Sequence, residues 1–447
     1  MAAGSAAGLI VAAPASGSGK TVFTLGLIRR LARSGVSVAS AKVGPDYIDP
    51  AFHAAAGGRA CVNLDPWAMR PAMLAATAAG LEGGSDLVIC EGVMGLFDGA
   101  TARAGSTADV AAGLGWPVVL VVDARAQAAS AAAVVRGFAN HRPDVHVVGV
   151  VFNRIGGERH AAVIAEACAL HVPDVAVLGF LPRTEDLALP ERHLGLIQAR
   201  EHAELDAFLD RAATVIAAHV DVAALVALAG ECGSKPPAAP PSPSTVSPPV
   251  PPIGQRIAVA DDAAFAFRYA LVIDGWRAAG AEILPFSPLA DEPPDASADA
   301  VYLPGGYPEL HAGRLAGNSN FLAGLGEAAA RSAAVFGECG GYMVLGRGLV
   351  DADGVRHAMA GLLALETSFA ERGLHLGYRR VTLAAATPLG PAGALFRGHE
   401  FHYARTLSEG PGTALFAAAD AGGRDLGATG LVQGSVFASF IHLVDRE

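Results

Sequence analysis

Residues 8–33 read GLIVAAPASGSGKTVFTLGLIRRLAR: an apolar run, a stretch of small residues, then Leu and Ile at helical spacing. A strand, a Gly/Ser turn and a helix opened by Lys-Thr are the parts of a phosphate-binding loop. Gly17, Ser18 and Gly19 are small enough for backbone N–H groups to surround phosphate oxygens. Lys20 can reach the β and γ oxygens, and Thr21 can hold Mg²⁺. The loop is a modified one, because Pro14 stands where the usual first glycine would fall. A chance Gly/Ser turn is the alternative, and the flanking strand and helix count against it.

Outward from this loop, LVICEG ends an apolar run at Glu91 and leads into Gly92, Gly95 and Asp98. A carboxylate at a strand end can hold Mg²⁺ directly or through water, because magnesium takes hard oxygen ligands and keeps part of its hydration shell. The block KVGPDYIDPAFH places Lys42, Asp46, Tyr47, Asp49 and His53 on a segment stiffened by Pro45 and Pro50. It suits metal, phosphate or an anionic substrate, or else a solvated turn. Asn153 and Arg154, closing VHVVGVVFN, can contact an adenine or cap the next helix. Asp123, closing PVVLVVD, is a weaker candidate. With VSVASAKVG and VAVLGFLP, these runs alternate with Ala/Leu-rich helical stretches, which predicts parallel sheets covered by helices, with ligands at the carboxyl ends of the strands.

At 447 residues the chain exceeds one ordinary core, and two domains are expected. Residues 233–254, GSKPPAAPPSPSTVSPPVPPIG, read as an extended connector between domains over 1–232 and 255–447. The apolar content of 52% argues against a disordered chain. A formal charge of −11 without a basic patch argues against nucleic acid as a partner. No run of about 18 apolar residues predicts a membrane span. The apolar N-terminus has no basic leading segment and reads as a buried first strand rather than a signal peptide. Cys61, Cys90, Cys168, Cys232 and Cys339 lack metal-ligand spacing and indicate reduced thiols in the cytoplasm.

Beyond the connector, RIAVAD, AEILPF and AVYLPGG read as further strands, and AAVFGECGGYMVLG turns a strand into a helix at Cys339, between Gly337 and the pair Gly340 and Gly341. This is the pattern of a nucleophile elbow, where a helix N-terminus is expected to lower the thiol pKa. A backbone N–H from Gly306 in PGGYPEL can join that of Gly340 to hold an oxyanion. His442 in SFIHL is the expected base. HEFH at 399–402 has i, i+3 histidines rather than HExxH spacing, which rules out the metalloprotease reading. Arg397, His399 and His402 read instead as a substrate-facing or interdomain loop.

The blocks APASGSGKT, KVGPDYIDPAFH, EGVMGLFDG, IAVADDAAFAFRY, PGGYPEL, GECGGYM, RGHEFHY and SFIHL follow one another along nearly the whole chain. In that order the chain resembles the cobyrinic or hydrogenobyrinic acid a,c-diamide synthase family. The resemblance implies a glutamine-hydrolysing carbon–nitrogen ligase of cobalamin biosynthesis. Its N-terminal α/β domain would be a P-loop NTPase similar to dethiobiotin synthetase. Its C-terminal domain would be a class I glutamine amidotransferase, flavodoxin-like with three α/β/α layers. ATP and Mg²⁺ would be the cofactors, and L-glutamine and a corrin-ring acid the substrates. By motif match, Lys20 and Thr21 would bind ATP and magnesium, and Asp46, Glu91 and Asp98 would arrange metal, phosphate and substrate. Cys339 would form a glutamyl thioester with His442 as base. The released ammonia would pass between the sites and attack an acyl phosphate, at the c carboxylate and then the a carboxylate.

The chain departs from the class I pattern at His442, Leu443 and Val444, where a His-x-Glu pair is usual, so no orienting acid is assigned. Cobyric acid synthase is a rival, but typically carries an asparagine-containing block in place of GPDYIDP. A partitioning-type regulatory ATPase would carry a lysine where Ala15 stands and would need no elbow cysteine. A cysteine hydrolase with a vestigial nucleotide domain is a third reading. The Ala-rich sequence tips the ring substrate slightly to hydrogenobyrinate over cobyrinate, and large apolar faces make a homodimer plausible.

Overall fold

The computed structural model describes residues 7–184, 187, 191–192, 195–196, 198–232 and 246–447. Two compact units form, Met1–Trp67 with Pro71–Val246, and Ala68–Arg70 with Ser247–Glu447. Of the expected connector, residues 233–245 lie outside the described residues. In the remainder Val250 and Ile253 are buried, and the carbonyls of Val250 and Pro251 accept the indole N–H of Trp276 at 3.1 Å each. Among the described residues no helix is long and apolar enough to cross a membrane.

The first unit is built on a parallel sheet of β1 (Ala7–Ala12), β2 (Val38–Val43), β3 (Val62–Leu64), β4 (Leu87–Glu91), β5 (Val118–Asp123), β6 (Val147–Ile155) and β7 (Ala176–Pro182), in the order β3-β2-β4-β1-β5-β6-β7. Leu9, Ile10 and Val11 are fully buried, as expected of a strand covered on both faces. Helix α1 (Lys20–Arg33) buries Phe23, Leu27, Ile28 and Leu31. At Gly26 a β-carbon would lie 2.8 Å from Ile216 Cγ1, so the missing side chain is what lets α1 pack on the helix Leu205–His219. Strand β1 lies between β4 and β5, so the strand order reverses around it. The loops leaving β1, β2, β4 and β6 meet at their carboxyl ends, where such sheets bind ligands.

The second unit contains a ten-stranded sheet, and only part of it is the expected parallel kind. The strands Glu282–Phe286, Arg256–Ala260, Ala300–Leu303, Ala334–Glu338 and Val436–Ser439 run parallel in that order. The sheet continues antiparallel through Asp425–Gln433, Thr413–Asp420, His375–Leu383, Leu395–His402 and Ile441–Arg446. The long strands between residues 375 and 433 were not anticipated from sequence. Their Gly, charged and exposed positions interrupt the apolar runs that mark two-sided burial, because one face meets solvent. Val436–Ser439 and Ile441–Arg446 are consecutive in the chain, separated only by Phe440, yet hold the fifth and last places in the sheet.

Candidate active site

In the first unit the phosphate loop depends on two glycines with left-handed backbone, Gly17 (φ 76°) and Gly19 (φ 89°). A β-carbon on Gly19 would lie 2.2 Å from Asn153 Nδ2, which donates to Ser18 O at 2.9 Å. Arg154 donates from its guanidinium to Gly17 O at 2.8 Å and to Asp123. Asn153, Arg154 and Asp123 therefore brace the loop from the ends of β5 and β6, and Asn153 does not serve as a helix cap. Beside them lies a cavity of about 210 Å³ lined by Gly19, Phe23, Asn153, Leu181, Pro182 and Ile216 among others. Mostly apolar walls with polar groups from Asn153, Arg154, Arg183 and Thr184 suit a flat heterocycle beside the phosphate loop.

Glu91 closes β4 with no exposed surface and collects three donors. Its Oε1 accepts from Thr21 Oγ1 at 2.6 Å and Lys42 Nζ at 2.9 Å, and its Oε2 lies 2.7 Å from His53 Nε2. Lys42 also pairs with Asp49 at 2.5 Å. Burial opposes the charge on Glu91, but Lys42 and His53 override it and hold the carboxyl below its ordinary range. Burial, reinforced by Asp46, pushes Asp49 up to about 6 against the pull of Lys42. Burial, with Lys42 adding to it, lowers the Lys20 pKa.

The block expected to face substrate is thus organised differently. Lys42 and His53 are buried and reach Glu91, and Asp49 reaches Lys42. Tyr47 is also buried. Asp46 and Asp98, expected at the metal, use carboxylate oxygens to close turns. Asp46 Oδ1 accepts the N–H groups of Ile48 (2.8 Å) and Asp49 (3.0 Å), and Asp98 Oδ2 accepts that of Gly95 (2.9 Å). Asn63, which the sequence reading passed over, holds the 44–46 loop by donating to Gly44 O and Asp46 O. It sits in the three-residue strand β3, too short to show a period.

In the second unit Cys339 sits at φ 49°, ψ −104°, the strained turn of an elbow, between the strand Ala334–Glu338 and the helix Gly340–Leu345. A β-carbon on Gly341 would lie 2.0 Å from Leu303 O, so the glycines after the thiol let this helix meet the neighbouring strand. The expected lowering of the thiol pKa is not what the site provides. Burial, with Glu309, Glu338 and Glu400 adding to it, drives the Cys339 pKa up, and the Gly340 N–H only partly opposes this.

His442 is fully buried, and burial, with His399 and His402 adding to it, pulls its pKa down to about 3, so the resting imidazole is neutral. Gly305 touches both groups: a β-carbon there would lie 2.3 Å from His442 Cε1 and 3.1 Å from Cys339 Cβ. Gly306 and Gly340 also adjoin, since a β-carbon on Gly340 would lie 3.0 Å from Gly306 N. Gly398 approaches from the other side, its β-carbon position 2.3 Å from His442 O, where the ladder slips by a bulge. Gly305 and Gly398 were missed from sequence. The doubled glycine after AVYLP and the lone glycine in LFRGHEFH were the available signals.

The HEFH segment is strand rather than the expected loop, with His399 and His402 buried. His375, Glu400 and His402 bring ligand atoms within 4.8 Å of one another. The two imidazoles, however, stack 4.6 Å apart and only 9° from parallel, so their in-plane lone pairs run side by side instead of converging. Arg379 Nε also donates to Glu400 at 2.7 Å. This is an ion-paired layer behind the thiol, not a metal cage.

Residues 9–197 match the CobQ/CobB/MinD/ParA nucleotide binding domain, and residues 256–446 match the CobB/CobQ-like glutamine amidotransferase domain. A hydrogenobyrinate a,c-diamide synthase from Sinorhizobium sp is 54% identical over 98% of both chains. The chain belongs to the hydrogenobyrinate a,c-diamide synthase family. Members from Rhizobium meliloti (strain 1021), 53% identical over 98% of this chain and 99% of its own, and Rhodobacter capsulatus, 54% identical over 98% of each, show the same end-to-end match. The family's two domains fall where the two clusters stand: the glycine loop with Glu91 in one, the Cys339 elbow in the other.

Proposed function

We propose that this chain amidates the a and c carboxylates of hydrogenobyrinate, c before a, using ATP and glutamine in the cytoplasm. The observation that carries this reading is the 54% identity along 98% of both chains with a hydrogenobyrinate a,c-diamide synthase. The free thiols of Cys61, Cys90, Cys168 and Cys339 suit a reducing compartment.

At the thiol site, Sγ of Cys339 attacks the side-chain amide carbon of glutamine as His442 takes its proton. The oxyanion is held by the N–H groups of Gly306 and Gly340. His442 returns the proton to the departing ammonia, and water then hydrolyses the thioester to glutamate. At the phosphate site, a ring carboxylate oxygen takes the γ-phosphoryl group of ATP, releasing ADP. Ammonia adds to the acyl carbon and phosphate leaves. Lys20, Gly17, Ser18 and Gly19 hold the triphosphate, and Asn153 and Arg154 border the nucleoside cavity.

The hydroxyl of Thr21 and the carboxylate of Glu91, 2.6 Å apart at the carboxyl end of the sheet, are a hard-oxygen pair that fits Mg²⁺. That ion would neutralise charge on the transferring phosphoryl group. Lys42 and His53 keep Glu91 ionised, Asp49 holds Lys42, and Asp46 and Asp98 shape the loops that flank it.

The test is mass spectrometry of the purified protein with ATP, Mg²⁺ and glutamine, offering hydrogenobyrinate and cobyrinate in parallel. Two successive OH-to-NH₂ exchanges on hydrogenobyrinate are expected. An unchanged ring alongside continuing glutamine hydrolysis would remove the substrate assignment.

A further inference from the structure

We propose that Glu338 is the positioning residue of the glutaminase centre, its buried carboxylate holding three strands that carry the parts of the site in one register. The inference rests on the reading of Cys339 and His442 given above, and it supplies the orienting acid that Val444 cannot be.

Glu338 ends the strand Ala334–Glu338 immediately before the nucleophile and is 3% exposed. Its Oε1 accepts the backbone N–H of Leu443, the residue after the base, at 2.9 Å. Its Oε2 accepts the hydroxyl of Tyr302 at 2.6 Å. Tyr302 lies in the strand Ala300–Leu303, which leads through Pro304 into Gly305 and Gly306. One side chain therefore touches the strand of the thiol, the strand of the imidazole and the strand that leads to Gly306.

The link to Leu443 is not redundant with the sheet. Ile441–Arg446 pairs with Leu395–His402, and it is not a ladder neighbour of Ala334–Glu338. The hydrogen bond from Leu443 spans that gap. Among the described residues no cation contributes to the environment of this carboxyl, and burial pushes its pKa up to about 7. A buried acid without a counter-charge is a poor stabilising device, since a packed apolar side chain would do as well or better. What the acid offers that an apolar residue does not is two accepting oxygens at fixed places. The backbone N–H of Leu443 moves with His442, so the carboxylate sets where the imidazole stands relative to Sγ. It touches neither glutamine nor the sulfur.

The experiment compares glutamine-supported and ammonia-supported amidation in full-length Glu338→Ala, Glu338→Gln and Tyr302→Phe, with Cys339→Ala as reference. Glu338→Ala should lower kcat with glutamine on the order of 10²-fold, the scale of a displaced catalytic group, while leaving KM for glutamine and the ammonia-supported rate near wild type. Glu338→Gln should recover most of the loss, because its amide oxygen still accepts from Leu443 and its NH₂ can donate to the Tyr302 oxygen. An unchanged kcat in Glu338→Ala, a rise in KM alone, or equal damage in the Gln variant would each overturn the proposal. If Glu338→Ala does not fold, Tyr302→Phe decides: a several-fold fall confined to glutamine-supported kcat supports the proposal, and no change overturns it. Cys339→Ala separates the two questions, because glutamine-supported activity surviving in that variant would refute the thiol reading itself, whatever Glu338 does.

Discussion

Gly305 and His442 are in contact at a position where no other residue fits, since a β-carbon on Gly305 would stand 2.3 Å from the imidazole Cε1. The ring is buried on all sides, so it cannot yield without leaving the thiol. Gly305→Ala should cut glutamine-supported amidation on the order of 10²-fold and leave the ammonia-supported rate intact. Steady-state rates with the two nitrogen donors check this, and equal losses with both would place Gly305 outside the glutaminase centre.

Cys339→Ala removes the nucleophile but no part of the phosphate site. Amidation from glutamine should vanish and amidation from added ammonium salts should persist. Loss of both would show that the two activities do not reside in separate sites.

Lys20→Ala should abolish product with either donor, because carboxylate activation precedes both. Glu91→Gln should do the same and also destabilise the fold. It leaves Lys42 and His53 buried against a neutral amide, and breaking a buried pair typically costs about 3–5 kcal/mol. Burial disfavours the Glu91 carboxylate, but Lys42 and His53 hold its pKa below the ordinary 4.5. Its contribution is therefore present above that value and lost as pH falls through the folded-state pKa. Denaturant melts should show the wild-type advantage at neutral pH shrinking in acid, and a gap independent of pH would contradict the ion-pair account.

The resting thiol and imidazole should both be neutral, because burial raises the pKa of Cys339 and lowers that of His442 to about 3. Without glutamine, alkylation of Cys339 by iodoacetamide should be slow near neutrality and climb about tenfold per pH unit between about pH 6 and pH 9, following the thiolate fraction. A plateau reached by neutral pH would reveal a preformed thiolate–imidazolium pair instead.

Most parallel strands of both units were legible in the sequence as short apolar runs, many of them ending in Gly, Asp or Asn, but the three-residue β3 and Val436–Ser439 were not read as strands. The loop at Gly17–Thr21 and the elbow at Cys339 were legible for a related reason: a glycine at a fixed offset from a reactive side chain is a local constraint. What stayed hidden was long-range. Nothing near Lys42 or His53 shows that both turn inward to Glu91, or that Asp98 serves its own turn. Nothing near Glu338 shows that the N–H of Leu443, distant in sequence, donates to it. The antiparallel strands were missed because their alternation is broken by glycines at a bulge and at close approaches such as Gly398.

At Phe440 the chain passes from the fifth strand of the sheet to its last. Ser439 O accepts the Cys339 N–H at 2.9 Å, and His442 follows three positions later. Thiol and imidazole are therefore both gauged against one four-residue stretch encoded without interruption. The hairpin of Thr413–Asp420 and Asp425–Gln433 lies inside the sheet and backs this stretch, since a β-carbon on Gly430 would stand 2.8 Å from Ser439 Cβ. An insertion between Ser439 and His442 would part thiol from imidazole, whereas an added residue in an exposed turn elsewhere in the sheet leaves that four-residue gauge intact.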